Sequence, residues 1–501
     1  MRPSSSRSEP ASAADGIGAA SRNAADGTGD VGVGTGDVGA DGTAARTADG
    51  LLTGLSGVAE VDAELTDRAL LTAMLDVERT LAAAGAECGA LPEPAAGEIA
   101  RHCRPELFDL AALAEGADAA GNPVVPLVRQ LTEAVPSTAR PWVHHGATSQ
   151  DVLDSALSLL AVRAGEPLLR HLDAAAGAAA GLADRHRETV LLARTLGQAA
   201  APTTFGLKAA GWLLGLLDAR SRLVAARSAL PVQLGGPVGT LAALGPAGPE
   251  IVDRLAARLG LAAPRLPWHT RRQPLLDLAA ALGSLLAAAG KIGLDVGLLA
   301  QTELAEVAEG GGPGRGGSSA MPHKRNPVDA VLLGAAARRG PHLVGTLFAA
   351  AVQEQERAAG GWHAEWEPLL DLLRLAGGTA GRTARLLAGL QVRPERMRHN
   401  LEALGGRTLA EAVAARLAPA LGRAGAHGTV ARAAAAPDFR AALLADPAVR
   451  AELAEEELDR VLDPANWLGS AGTFVDRALA EYRASGAYRD AGAYRDAGEP
   501  R

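Results

Sequence analysis

Between Leu275 and Val307 the residues Leu275, Leu278, Leu282, Leu285, Ala289, Ile292, Val296 and Leu299 recur three and four apart, the period of one helix face. An unbroken helix over that stretch would run roughly 50 Å at 1.5 Å per residue. Gly283, Gly290 and Gly297 repeat every seventh residue on a neighbouring stripe. Each costs a helix about 1 kcal/mol against alanine, so three in register need a packing reason. Close approach of another helix backbone supplies one. A helix apolar or small nearly all round must be buried, and one this long is best buried in a bundle to which other copies of the chain contribute helices.

Composition agrees. Alanine and leucine dominate, aromatic residues are 3%, and β-branched residues are sparse, which favours helices over sheets. An all-α protein is expected. Net charge is −8 with both signs spread along the chain, so no nucleic-acid footprint or polybasic membrane anchor is expected, and binding of an acidic ligand must be local. Cys88 and Cys103 have no finger or CxxC spacing, so they read as reduced thiols rather than a zinc site or disulfide. No run is expected to span a bilayer. The first residues have no apolar export core and carry Glu9 and Asp15, against a signal or transit peptide. A cytoplasmic enzyme is the default expectation.

Residues 1–55 are rich in Gly, Ala and Asp, with few large apolar side chains, and read as a disordered tail. The two strings Gly27–Gly32 and Gly34–Gly39 have the GxGxxG form, but neither follows a strand or opens a helix, so both read as low-complexity repetition. Helical spacing begins near Leu65 and opens an N-terminal helical domain over 56–160. A central bundle domain is expected over 161–400 and a small C-terminal helical domain over 401–482. Residues 483–501, with their duplicated Ala-Tyr-Arg-Asp-Ala-Gly unit, read as a solvated tail. Helices over Val328–Arg338 and Leu343–Arg357 are expected to break at Gly340-Pro341.

Two stretches carry chemistry. Gly314-Arg-Gly-Gly-Ser-Ser-Ala-Met-Pro-His-Lys-Arg-Asn-Pro327 combines a backbone that can turn bare N–H groups toward a ligand with the hydroxyls of Ser318 and Ser319 and the cations Lys324 and Arg325. Asn326-Pro327 reads as an N-cap with proline in the first turn, so a carboxylate held here would meet a cation and a helix N-terminus together. In Trp142-Val-His-His-Gly-Ala-Thr-Ser-Gln-Asp151, Thr148 and Asp151 form the S/T-x-x-acid pattern of a capped helix. A second carboxylate could sit at that terminus.

These strings resemble two signature regions of the fumarase/aspartase superfamily, GSSAMPHKRNP most closely in its adenylosuccinate lyase and carboxymuconate cycloisomerase branches. A third region, Arg194-Thr-Leu-Gly-Gln-Ala-Ala-Ala-Pro-Thr-Thr-Phe-Gly-Leu-Lys208, resembles the superfamily's other conserved segment with one departure. Its lyases usually have Thr-His there, and the histidine takes part in proton transfer. This chain has Leu196, which carries no proton. The departure fits the carboxymuconate cycloisomerase branch, as does Gln355-Glu-Arg-Ala-Ala-Gly-Gly-Trp-His-Ala-Glu-Trp366, whose two tryptophans read either as bundle-end packing or as a pocket wall.

The resemblance implies an all-α fold of three helical domains around a long central bundle, a homotetramer with shared active sites, and no metal or organic cofactor. It implies a small polycarboxylate substrate and a carbanion whose charge spreads into a carboxylate, needing preorganised cations and N–H donors. Ser318 would exchange the carbon-bound proton, with Lys324 and His144 as the other catalytic groups. Thr148, Ser149, Gln150, Arg194, Gln198, Ser319, Met321, Arg325, Asn326 and Arg357 would bind substrate. Internal attack by the substrate's own carboxylate needs orientation more than a second base, which would make Leu196 tolerable.

Overall fold

The structure, a computed structural model, describes residues 51–310 and 315–488. Residues 1–50, with both glycine-rich strings, lie outside the described residues, as do 311–314 and 489–501, most of the repeat tail. The opening part folds as α1 (Ala59–Asp62), α2 (Asp67–Glu87), α3 (Glu93–His102), α4 (Leu110–Ala120) and α5 (Val124–Ala134). Helix α6 (Ser149–Arg185) leads into an antiparallel hairpin of β1 (Val190–Thr195) and β2 (Gln198–Thr204). The chain continues as α7 (Phe205–Ser228), α8 (Gly248–Leu259), α9 (Gln273–Leu299), α10 (Val328–Ala350) and α11 (Trp366–Gly389). Short β3 (Val307–Ala308) and β4 (Gln391–Val392) pair across α10 and α11. Then follow α12 (Pro394–Glu402), α13 (Ala410–Ala434), α14 (Phe439–Ala445), α15 (Pro447–Glu452), α16 (Glu455–Val461) and α17 (Ala471–Ala484).

The bundle is α6, α7, α9, α10 and α11, with α9 packed on α7, α10 and α11, and α6 on α7 and α11. Its core is continuous with that of α2 and α3. A boundary at residue 160 would cut α6, whose buried Leu157, Leu160, Leu168 and Leu172 continue one stripe into the bundle. Val413, Leu417, Phe439, Leu443 and Leu458 form a separate small core for the C-terminal helices, while α17 returns to pack on α7 and α6.

The heptad glycines of α9 meet α10. A Cβ on Gly290 would lie 2.4 Å from the Ala337 Cβ, and one on Gly283 would lie 3.1 Å from Val344. Gly293, between two of them, is tighter against backbone, its Cβ falling 2.8 Å from the Ala330 carbonyl oxygen. Gly297, by contrast, has nothing within 4 Å. The helix also ends earlier than its spacing predicts. It stops at Leu299; beyond it the Glu306 amide returns to the Leu299 carbonyl at 2.9 Å, Ala305 adopts a left-handed φ of +52°, and Val307 comes against Val392. By length and composition α9 could cross a membrane, contrary to the expectation that no run could. Half of its most apolar window is buried within the fold, as in a core helix.

Helix α10 runs through Gly340-Pro341 without a break. A Cβ at Gly340 would sit 2.3 Å from Leu286 Cδ1, so packing on α9 overrides the local breaker signal. It ends at Ala350 rather than Arg357, and Gln355 takes a left-handed φ of +47°.

Gly293→Ala is expected to destabilise the fold by about 1–3 kcal/mol through overpacking against α10, although alanine is the better helix former. A urea midpoint at or above wild type would contradict this account of the helix contact.

Candidate active site

Thr148 caps α6 in a capping box, its N–H donating to Asp151 Oδ2 at 3.0 Å. Asp151 is committed further: it accepts the Gly235 and Gly236 amides at 3.0 and 2.8 Å and lies 2.7 Å from His269 Nε2. One turn on, Asp154 meets Arg272 at 2.7 and 3.0 Å and accepts Trp362 Nε1 at 3.0 Å. Arg272, its side chain wholly buried, also donates to Glu365 at 2.7 Å and stacks on Trp268. Burial pulls the Arg272 pKa down, but Asp154 and Glu365 outweigh it and hold the guanidinium charged. Burial pushes Glu365 up, with Arg272 opposing.

This polar core sets Trp362 beside α6, and with it Arg357. Arg357 Nη1 donates to Thr148 Oγ1 at 3.0 Å, and its guanidinium carbon lies 5.8 Å from the Trp362 ring centroid. The two candidates, 209 residues apart in sequence, thus meet at one helix start. Ser149 opens α6 beside them and is partly exposed. Of the two tryptophan readings, Trp362 follows the packing one: it is buried and sits edge-on to Trp366 at 4.8 Å.

His144 stands just before this helix with a left-handed φ of +59°. Its Nδ1 is 2.6 Å from Oε1 of Glu78 on α2, and Glu78 is 1% exposed. Burial lowers the His144 pKa, but the Glu78 charge and hydrogen bond, with Asp151 behind them, raise it above the ordinary histidine value.

Two expected substrate ligands are otherwise engaged. Gln150 is 1% exposed, its amide nitrogen donating to Asp154 at 3.1 Å and to the His269 carbonyl at 2.8 Å. It supports the site from inside. Arg194 forms a two-pronged pair with buried Glu306 at 2.9 and 2.8 Å, and Asn400 donates to the same carboxylate at 2.9 Å. That pair ties the β1–β2 hairpin, just below its tip, to the residue that precedes β3. At the hairpin tip Leu196 and Gly197 take left-handed φ of +52° and +77°, leaving Leu196 fully exposed and Gln198 exposed beside it.

The loop before α10, described from Arg315 to Pro327, differs from expectation at its base. Asn326 does not cap α10. Pro327 holds the cap position, and the Glu309 carboxylate accepts the Asp329 and Ala330 amides at 3.1 and 2.8 Å, so the helix terminus already holds an anion of its own. Asn326 instead donates its backbone N–H to the Gly316 carbonyl at 2.7 Å. A Cβ at Gly316, φ +70°, would fall 2.7 Å from the Asn326 oxygen. Arg315 pairs with Asp329 at 2.6 Å, and Asp329 also takes Arg382 and Arg385 from α11 at 2.8 and 2.9 Å. Burial pushes Asp329 up, yet the three arginines hold it below the usual carboxylate range. Above this base, Ser318 Oγ accepts the Met321 and Ala320 amides at 3.1 and 3.4 Å. Ser319, Met321, Lys324 and Arg325 are exposed, and neither cation forms an ion pair among the described residues.

Within one chain, no hydrogen bond or ion pair among the described residues joins this loop or the hairpin tip to the Thr148–Arg357 group. Sequence reasoning missed Glu78, Asp154, His269, Arg272, Glu306, Glu309 and Glu365. The one local signal was Glu78, an acid between Val77 and Leu81 on the apolar stripe of α2.

The fold and these regions define a lyase of the fumarase/aspartase superfamily, and the chain belongs to it. Residues 58–339 match the family described as Lyase, and residues 406–478 match the adenylosuccinate lyase C-terminus. The chain is 47% identical to the 3-carboxy-cis,cis-muconate cycloisomerase of Pseudomonas aeruginosa, covering 85% of this chain and 95% of that one. It is 46% identical to the nitrosuccinate lyase of Streptomyces davaonensis, covering 87% and 95%. Among solved structures, the 3-carboxy-cis,cis-muconate lactonizing enzyme of Pseudomonas putida superposes with a TM-score of 0.81 at 41% identity, covering 87% and 99%.

Removing Arg272 would leave Asp154 and Glu365 as two buried, uncompensated carboxylates. Arg272→Ala is therefore expected to destabilise the fold by about 3–5 kcal/mol. A denaturation midpoint within experimental error of wild type would show that the network is dispensable.

Proposed function

We propose that the protein is a 3-carboxy-cis,cis-muconate cycloisomerase, closing its substrate to 4-carboxymuconolactone in protocatechuate breakdown by the β-ketoadipate route. One substrate carboxylate oxygen adds to an alkene carbon. The adjacent carbon gains a proton, so the reaction is an isomerisation with nothing lost. The observation that carries the reading is Leu196, a residue without a proton at the exposed hairpin tip. An intramolecular nucleophile can do without a base there, whereas an eliminating lyase normally uses one.

Ser318 suits proton exchange because two backbone amides already point at its oxygen and would stabilise an alkoxide. Lys324 and Arg325, exposed on the loop, supply cations for a substrate with three carboxylates, and Arg357 with Thr148 and Ser149 supplies a second anion site. Ser319, Met321 and Asn326 would line the loop side, and Gln198 would enter from the hairpin. The hairpin tip, loop and Thr148 group are separate in one chain, so the reading needs copies of the chain to complete each site. Exposed Leu294 and Leu298 on α9, Val331 and Phe348 on α10 and Val224 on α7 offer the bundle faces for a homotetramer. A cytoplasmic setting fits the free thiols of Cys88 and Cys103.

The similarity to a nitrosuccinate lyase supports a second reading, elimination of nitrite from a nitrosuccinate, in which the carbon–nitrogen bond breaks, the β carbon gives up its proton and an alkene dicarboxylate forms. Purified protein given 3-carboxymuconate, a nitrosuccinate and adenylosuccinate separately, followed by ultraviolet absorbance, decides between them. Loss of the diene absorbance with the first alone is expected, and turnover of only one of the others would overturn the proposal.

Ser318→Ala is expected to lower kcat by at least about 100-fold with a smaller change in KM, as for loss of a proton-transfer group. Undiminished turnover would remove Ser318 from the chemistry. Arg357→Ala is expected to raise KM by roughly 10- to 100-fold, as for a lost charged hydrogen bond of about 1.5–3 kcal/mol. An unchanged KM would place the substrate elsewhere.

A further inference from the structure

The Glu78 carboxylate lies on the buried face of α2, 1% exposed, among apolar neighbours that include Met74, Val77 and Leu81. Burying a carboxylate is costly unless a partner compensates for lost water. Oε1 has one, His144 Nδ1 at 2.6 Å, while Oε2 has none among the described residues. His144 in turn takes a left-handed backbone at φ +59°, which a non-glycine residue adopts at some cost. A buried acid and a strained histidine are therefore held against each other at the entrance to the Thr148 helix. The imidazole has a second nitrogen, and the side chain is 18% exposed.

We propose that Glu78 is the positioning residue of this site: by holding Nδ1 of His144 it keeps the ring an imidazolium, whose Nε2–H donates to a substrate carboxylate. The inference rests on reading the site as one for a polycarboxylate. A neutral imidazole could present an acceptor at Nε2 and repel the anion, and a ring free to rotate would lose aim. The charged groups that act on the ring are Glu78 on α2 and Asp151 on α6, while Arg357 is engaged with Thr148 at the start of α6. Cys103, just past α3, also feels the Glu78 charge, and its thiol is pushed far up by burial. The two carboxylates nearest His144 both favour its protonated form.

The sign of the pH effect follows. Substrate binding needs protonated His144, so kcat/KM falls as pH rises through its pKa, which Glu78 keeps above the ordinary 6.5. Glu78→Gln preserves shape but removes the charge, so the alkaline limb of kcat/KM should move down by about one pH unit or more. At pH 7.5 KM should rise roughly tenfold, following that shift, with kcat changing much less. Activity should return toward wild type as the pH is lowered. A loss equal at every pH would overturn the proposal, since a merely structural defect behaves that way.

A second readout does not depend on turnover. The 15N imidazole titration of His144 in the full-length protein, assigned by the loss of its signal in His144→Gln, should show a pKa above 6.5 that falls in Glu78→Gln. A wild-type value at or below the ordinary one refutes the inference even if Glu78→Gln cannot be purified folded. Failure to convert 3-carboxymuconate would refute the proposed reaction, while this titration would still decide the role of Glu78.

Discussion

Arg272 is the point on which the polar half of the molecule turns. A wholly buried guanidinium between Asp154 and Glu365 is tolerable only because both prongs are satisfied, and each carboxylate has further donors in Trp362 and Gln353. Such a group adds little net stability compared with apolar residues of the same volume. What it provides is register. It fixes the N-terminal turns of α6 against the segment carrying Trp362 and Glu365, and hence Arg357 against Thr148. Asp151 does the same one turn earlier, using two glycine amides and His269.

The bundle was largely legible in the sequence, because periodicity depends on neighbours three and four residues away. Where spacing misled, tertiary contacts had overruled it. Gly340-Pro341 signals a break, but Leu286 needs the missing Cβ and α10 continues. The apolar run toward Val307 continues in sequence, yet Glu306 and Val307 are drawn off to Arg194 and Val392. The capping box at Thr148 and Asp151 was readable because its partners are three residues apart. The anion on α10 was not, because Glu309 acts from 20 residues away.

For the site, motif strings located regions better than roles. Gln150 and Arg194 stand within matching strings, but their polar atoms face inward to Asp154 and Glu306. Glu78, outside any matching string, reaches His144 across 66 residues. The chain is nearly as similar to a nitrosuccinate lyase, at 46% identity, as to a cycloisomerase, at 47%. Under the proposed reading, the choice between the two reactions turns on position 196.

The described part of the signature loop, 315–327, is pinned at both feet, by Asn326 to Gly316 and by Arg315 to Asp329. Only residues 317–325 lie beyond those pins. Freezing a backbone residue costs about 1–2 kcal/mol, so a short free arc carries a far smaller entropic toll than the whole segment would. Under the proposed reading, a small ligand of a few charged groups would have only that crest left to immobilise.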